Sequence, residues 1–130
     1  MKLKCITLLI CSILFLAGCS ANTQEDATYL IISTDEAIVM MEEEKDYIIL
    51  DVRTKEEFAS GHIPGAINIP NETIGNSEIP ELPDKDRLIL VYCRSGNRSK
   101  QASEKLVTLG YTNIVEFGGI NSWPGEIVND

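Results

Sequence analysis

The chain predicts an α/β domain built on a largely parallel sheet, and three observations point there. Strand-like apolar runs alternate with segments of helical periodicity. Two of those runs, 47–52 and 88–92, lack the polar alternation of a half-exposed strand and suit strands covered on both faces. Each leads into chemically capable side chains, Asp51-Val52-Arg53 and Cys93, and parallel sheets bind ligands at the C-terminal ends of their strands.

The elements follow in order. Residues 29–32 form a short strand, and Ser33 or Thr34 caps a helix over 35–43 with Ala37, Ile38 and Met41 on one face. Glu42, Glu43 and Glu44 oppose the dipole at its C-terminus, which leaves that boundary open. After the strand at 47–52, Thr54 opens a short helix through Phe58, stopped by Gly61. Residues 66–69 are a further strand between Gly65 and Pro70. Pro80, Pro83, Gly75 and scattered acids suggest a surface connection over 71–86 with one helical turn. A strand at 87–92 leads through a polar loop into a helix over 99–109, whose stripe is Ala102, Leu106 and Leu109 and whose stop is Gly110. Residues 113–117 are the last strand, and Gly118-Gly119-Ile120-Asn121-Ser122-Trp123 turns into a short closing helix.

The N-terminus sets the expected compartment. Lys2 and Lys4 precede an apolar stretch over 5–17, too short for a spanning helix, which Leu16-Ala17-Gly18-Cys19 closes with small residues before a cysteine. This pattern resembles the lipobox of bacterial lipoproteins. It implies a signal peptide over 1–18, a lipid on Cys19, a polar tether over 19–28 and a folded domain over 29–130, held on the extracytoplasmic side of a membrane. A domain of that size has one modest core. The formal net charge is −9, and loss of Lys2 and Lys4 leaves 9 basic against 20 acidic residues, or −11, which argues against nucleic acid as a partner.

Cys5 and Cys11 leave with the leader and Cys19 is lipidated, so Cys93 is the one free thiol of the mature chain. A lone exported cysteine is structural, intermolecular or reactive. Here it stands at the tip of a buried strand, before a small polar loop that opens a helix, where backbone N–H groups and the positive helix end converge. Such surroundings lower a thiol's pKa and hold negative charge. Arg94, Arg98 and Lys100 cluster there against an acidic background, and Arg53 follows another strand tip, which suits a small anionic ligand. His62 is the single histidine, so no metal-spaced Cys/His cluster exists, and no dinucleotide or phosphate-loop glycine pattern calls for a cofactor.

Four ordered landmarks carry a family resemblance: Asp51-Val52-Arg53 with Glu57-Phe58, Gly61-His62-Ile63-Pro64-Gly65-Ala66, Cys93-Arg94-Ser95-Gly96-Asn97-Arg98-Ser99, and Gly118-Gly119-Ile120 with Trp123. Together they resemble a single-domain rhodanese. The resemblance implies a central, mostly parallel five-stranded sheet flanked by helices, and thiosulfate or another sulfane-sulfur donor as substrate. It implies Cys93 as nucleophile and persulfide carrier, with Arg94, Ser95, Gly96, Asn97, Arg98 and Ser99, joined by Arg53, binding the donor. Asp51 and His62 are implied as supporting residues, His62 through a hydrogen bond that shapes its turn. The acceptor is a thiol, on a small molecule or an exported protein, or cyanide. Trp123 is a packing residue.

Two rivals remain at this level. A cysteine-dependent phosphatase places five residues between nucleophile and arginine, whereas Arg98 follows Cys93 after four. A sulfur-carrier or binding module with little turnover would use the same fold.

Overall fold

The computed structural model describes residues 28–129. The leader, Cys19 and nearly all of the tether lie outside the described residues.

Five strands form one sheet in the order β1-β5-β4-β2-β3, with every pairing parallel. The strands are β1 (Leu30–Ile31), β2 (Tyr47–Asp51), β3 (Ile67–Asn68), β4 (Leu88–Cys93) and β5 (Ile114–Gly119). Three α-helices, α1 (Thr34–Glu43), α2 (Lys55–Ser60) and α3 (Asn97–Thr108), accompany 3-10 turns at Asn71–Thr73 and Ile120–Ser122. The expected α/β class and five-stranded parallel sheet are therefore present.

The central strand explains its own composition. In β4, Ile89, Val91 and Cys93 face one core with Ala102 and Leu106 of α3, while Leu90 and Tyr92 face a second with Ala37 of α1. Both faces are covered, so the run is apolar throughout. At about 25 cal/mol per Å² of apolar burial, these two cores supply the main driving force for folding.

Local signals fix the helices. Ser33 caps α1 in a reciprocal box with Glu36: the Glu36 amide donates to Ser33 Oγ at 3.1 Å, and the Ser33 amide donates to the Glu36 carboxylate at 2.8 Å. Thr54 caps α2 by accepting from the Glu57 amide at 3.2 Å.

Three expectations change. The 71–86 connection is no mere surface loop, because Ile74, Ile79 and Leu82 are buried in the α3-side core and Tyr111 Oη donates to the Leu82 carbonyl at 2.6 Å. Helix α3 starts at Asn97 rather than Ser99, because Gly96 turns the chain in the left-handed region at φ 110° and releases the helix at once. The closing helix is absent among the described residues. After Ile120–Ser122 the chain, interrupted by Pro124, returns as an extended segment whose Val128 exchanges both backbone hydrogen bonds with His62.

Candidate active site

Cys93 is the last residue of the central strand, almost wholly buried, and its Sγ points to the α3 side. The following loop bends back over the sulfur. The Gly96 amide donates to Sγ at 3.0 Å, and the Ser99 hydroxyl lies 3.4 Å from it. Burial alone pushes the thiol up. Hydrogen bonds from the Ser99 hydroxyl and from the Ser99, Gly96 and Ser95 amides outweigh it, and hold Cys93 below the ordinary thiol value. No side chain caps the N-terminus of α3, so its free amides face this cradle.

The neighbouring strand shapes the loop. Register is regular to Val91↔Glu116 and then shifts, so that Cys93 pairs with Gly119 across a bulge that contains Gly118 at φ 87°. Gly119 touches the backbone of the loop: a Cβ there would fall 1.9 Å from the Arg94 carbonyl oxygen. The Asn121 amide donates to that oxygen at 3.2 Å and holds the same end of the loop.

Arg94, Ser95 and Asn97 are exposed on the rim, Arg98 is partly covered, and Gly96 and Ser99 are buried beside the sulfur. The rim arginines meet Glu57, which the α2 cap presents: Arg98 lies 3.0 Å from its carboxylate and Arg94 3.8 Å. Partial burial raises the Glu57 carboxyl, but the hydrogen bond and charge of Arg98, then the charges of Arg94 and Arg53, bring it below the usual carboxylate range.

Arg53 is buried in a tie of its own. Asp51, Arg53 and Tyr92 lie toward the α1-side core, across the sheet from Sγ. The guanidinium is buried, with Nη2 donating to Asp51 at 2.7 Å and to the Gly61 carbonyl at 2.7 Å, and lies 5.8 Å from the centre of the Tyr92 ring. It ties the β2 tip to the α2 exit. Asp51 supports that tie. His62 supports the same corner, with Nδ1 2.8 Å from the Phe58 carbonyl and its ring stacked on Phe58 at 3.7 Å. Trp123 packs on Phe117.

Glu57 stands in the sequence only as a landmark beside Phe58, and Glu116 as neither landmark nor candidate. Glu116 lies within β5, fully buried on the α3 side, with Oε1 2.5 Å from Ser99 Oγ and accepting from the Gly118 amide at 2.8 Å. Its signal was legible as the lone charge in the apolar run Ile114-Val115-Glu116-Phe117. Among the described residues no acidic, histidine and cysteine cluster could hold a metal, and no helix is long and apolar enough to cross a membrane.

Fold and site thus define a class: a parallel α/β domain that presents one cysteine, at the tip of its central strand, to an amide-lined loop. The chain belongs to the family of the Rhodanese-like domain, whose profile matches residues 33–126. It is similar to the thiosulfate sulfurtransferase PspE of Escherichia coli (strain K12), 39% identical over 71 residues that cover 55% of this chain and 68% of the relative. It is 37% identical over 95 residues to the adenylyltransferase and sulfurtransferase UBA4 of Candida albicans, covering 68% of this chain but only 22% of that longer protein. A rhodanese-like domain protein from Staphylococcus aureus superposes with a TM-score of 0.65 at 34% identity, covering 78% of this chain and 98% of the other.

Proposed function

We propose that this protein is a sulfurtransferase that carries sulfane sulfur on Cys93, from thiosulfate or a similar anionic donor to a thiol or cyanide acceptor. One observation carries the reading. The buried Sγ of Cys93 stands in a cradle of donors that favours the thiolate, with two arginines at its rim.

The thiolate attacks the outer sulfur of thiosulfate. The bond between that sulfur and the sulfonate breaks, and its electron pair leaves with sulfite. A persulfide anion remains on Cys93, held by the loop amides that held the thiolate. An acceptor thiolate or cyanide then attacks the outer persulfide sulfur and returns Cys93 as thiolate. Arg94 and Arg98 meet the sulfonate charge, and Ser95, Gly96, Asn97 and Ser99 wall the site. No general base is needed in either half-reaction, because the loop's hydrogen bonds lower the thiol below its ordinary value and favour the thiolate.

We further propose that Cys19 is lipidated after removal of residues 1–18, and that residues 29–130 act on the extracytoplasmic side of a bacterial membrane. The tether and leader compositions support this.

The test is intact mass after incubation of residues 20–130 with thiosulfate. The reading expects one added sulfur on Cys93, removed by a reducing agent and abolished in Cys93→Ser. An unchanged mass with the thiol reduced favours another donor, phosphatase chemistry or a binding role.

A further inference from the structure

The hydroxyl of Ser99 has one proton and four neighbours that could take it. Glu116 Oε1 lies at 2.5 Å, the Gly96 carbonyl at 3.0 Å, the Gly118 carbonyl at 3.3 Å and Cys93 Sγ at 3.4 Å. Glu116 is by distance and charge the strongest acceptor. It is fully buried, and unlike Asp51, which has Arg53, it has no cation at ion-pair distance among the described residues. Ser99 stabilises a thiolate only when its proton points at sulfur. With the proton on the Glu116 side, the oxygen instead offers a lone pair to the thiol S–H.

We propose that Glu116 is a positioning residue for the nucleophile: its buried carboxylate captures the Ser99 hydroxyl proton and so restrains the ionisation of Cys93. The inference rests on Cys93 being the reactive thiol of the proposed sulfurtransferase. Its physical content is a balance within one turn of chain. The Ser99 hydroxyl, whenever its proton points at sulfur, and the amides of Ser99, Gly96 and Ser95 draw the thiol down, while Glu116 at 2.5 Å competes with the sulfur for that hydroxyl proton. Tyr29, ahead of β1, lies within electrostatic reach of Glu116 and also of Glu104 on α3, and none of these groups brings a positive charge. The restraint keeps a larger share of the resting thiol protonated and so less open to oxidation.

Glu116→Gln removes the charge without changing the shape, and its amide N–H can donate to Ser99 Oγ and turn the hydroxyl toward sulfur. The measurement is the rate of Cys93 alkylation by iodoacetamide against pH, followed by intact mass in the folded protein. Glu116→Gln is expected to lower the alkylation midpoint by about one pH unit, a roughly tenfold larger thiolate fraction at any pH below it. The fall should be smaller when Ser99→Ala is also present, because the released hydroxyl is then missing. A midpoint that stays, rises, or falls equally in both backgrounds overturns the inference. If Glu116→Gln does not fold, Glu116→Asp, which keeps the charge but draws the oxygens away from Ser99, must lower the midpoint too, and an unchanged value overturns it. A wild-type Cys93 that neither alkylates nor takes sulfur from thiosulfate defeats the sulfurtransferase reading. A reactive Cys93 indifferent to Glu116 defeats this inference alone.

Discussion

Gly119→Ala isolates how closely β5 supports the nucleophile loop. Gly119 has an ordinary extended backbone at φ −148°, so alanine adds no conformational strain and the effect is purely steric. Its Cβ would fall 1.9 Å from the Arg94 carbonyl oxygen, 2.2 Å from that carbonyl carbon and 2.5 Å from the Ser95 nitrogen. All three are backbone atoms, and real Cβ contacts stay beyond 3.0 Å, so the loop or the strand end must move by at least about 1.1 Å. The loop carries the Gly96 amide that holds Sγ, so the cradle moves with it. A displacement of about 1 Å costs on the order of a hundredfold in rate. Overpacking at the site costs about 1–3 kcal/mol of stability. Single-turnover formation of the Cys93 persulfide from thiosulfate, followed by mass, reads the first effect, and thermal unfolding reads the second. Gly110→Ala is the control. Its φ of +96° imposes strain of about 1–2 kcal/mol, but its Cβ meets nothing within 4 Å, so stability should fall while the persulfide rate stays. A folded Gly119→Ala protein that takes up sulfur within about threefold of the wild-type rate refutes the claim that this contact sets the loop.

Other perturbations separate the remaining parts. Asp51→Asn leaves the buried Arg53 guanidinium without its countercharge and should cost about 3–5 kcal/mol in urea unfolding; a loss under about 1 kcal/mol contradicts a buried pair. Glu57→Gln frees Arg94 and Arg98 for the donor, so KM for thiosulfate should fall several-fold, more so at low salt, and an unchanged or higher KM refutes the competition. The folded Glu57 carboxyl lies below its unfolded value of 4.5, so its pairing stabilises fully above that value and is lost as pH falls through the folded one. Glu57→Gln should therefore flatten the loss of stability below pH 4.5, and an identical acid profile excludes this contribution. Cys19→Ala should abolish lipid labelling and membrane fractionation, and retained label refutes the lipidation proposal.

Much of the fold was legible because its signals are local. Ser33 and Thr54 are caps read by residue type, and the unbroken apolar runs of β2 and β4 state that both their faces are covered. The same runs, with Cys93 and its glycine-containing loop, marked the strand tip where chemistry is expected. What failed was what depends on distant chain. The 71–86 segment reads as polar and broken by prolines, yet Ile74, Ile79 and Leu82 reach the core because α3 leaves that side of the sheet to be covered. A closing helix was expected from a turn signal, and pairing with His62 supplied the backbone partners a helix would have supplied.

The sequence by itself determined the class of domain, most of the order of its elements and the place of the candidate nucleophile, since periodicity, caps and a cysteine at a strand tip are written within a few residues. Only the tertiary structure decided which charges meet. Arg53 and Arg98 both follow functional-looking motifs, but strand alternation sends Arg53 to Asp51 on one face and leaves Arg98 with Glu57 at the rim of the nucleophile loop. Glu116 reaches Ser99 only because β5 lies beside β4 in a register that brings residues 17 apart in sequence to hydrogen-bond distance. Chain order encodes neither the register nor the face at that range, and both were set by packing the two cores against one sheet.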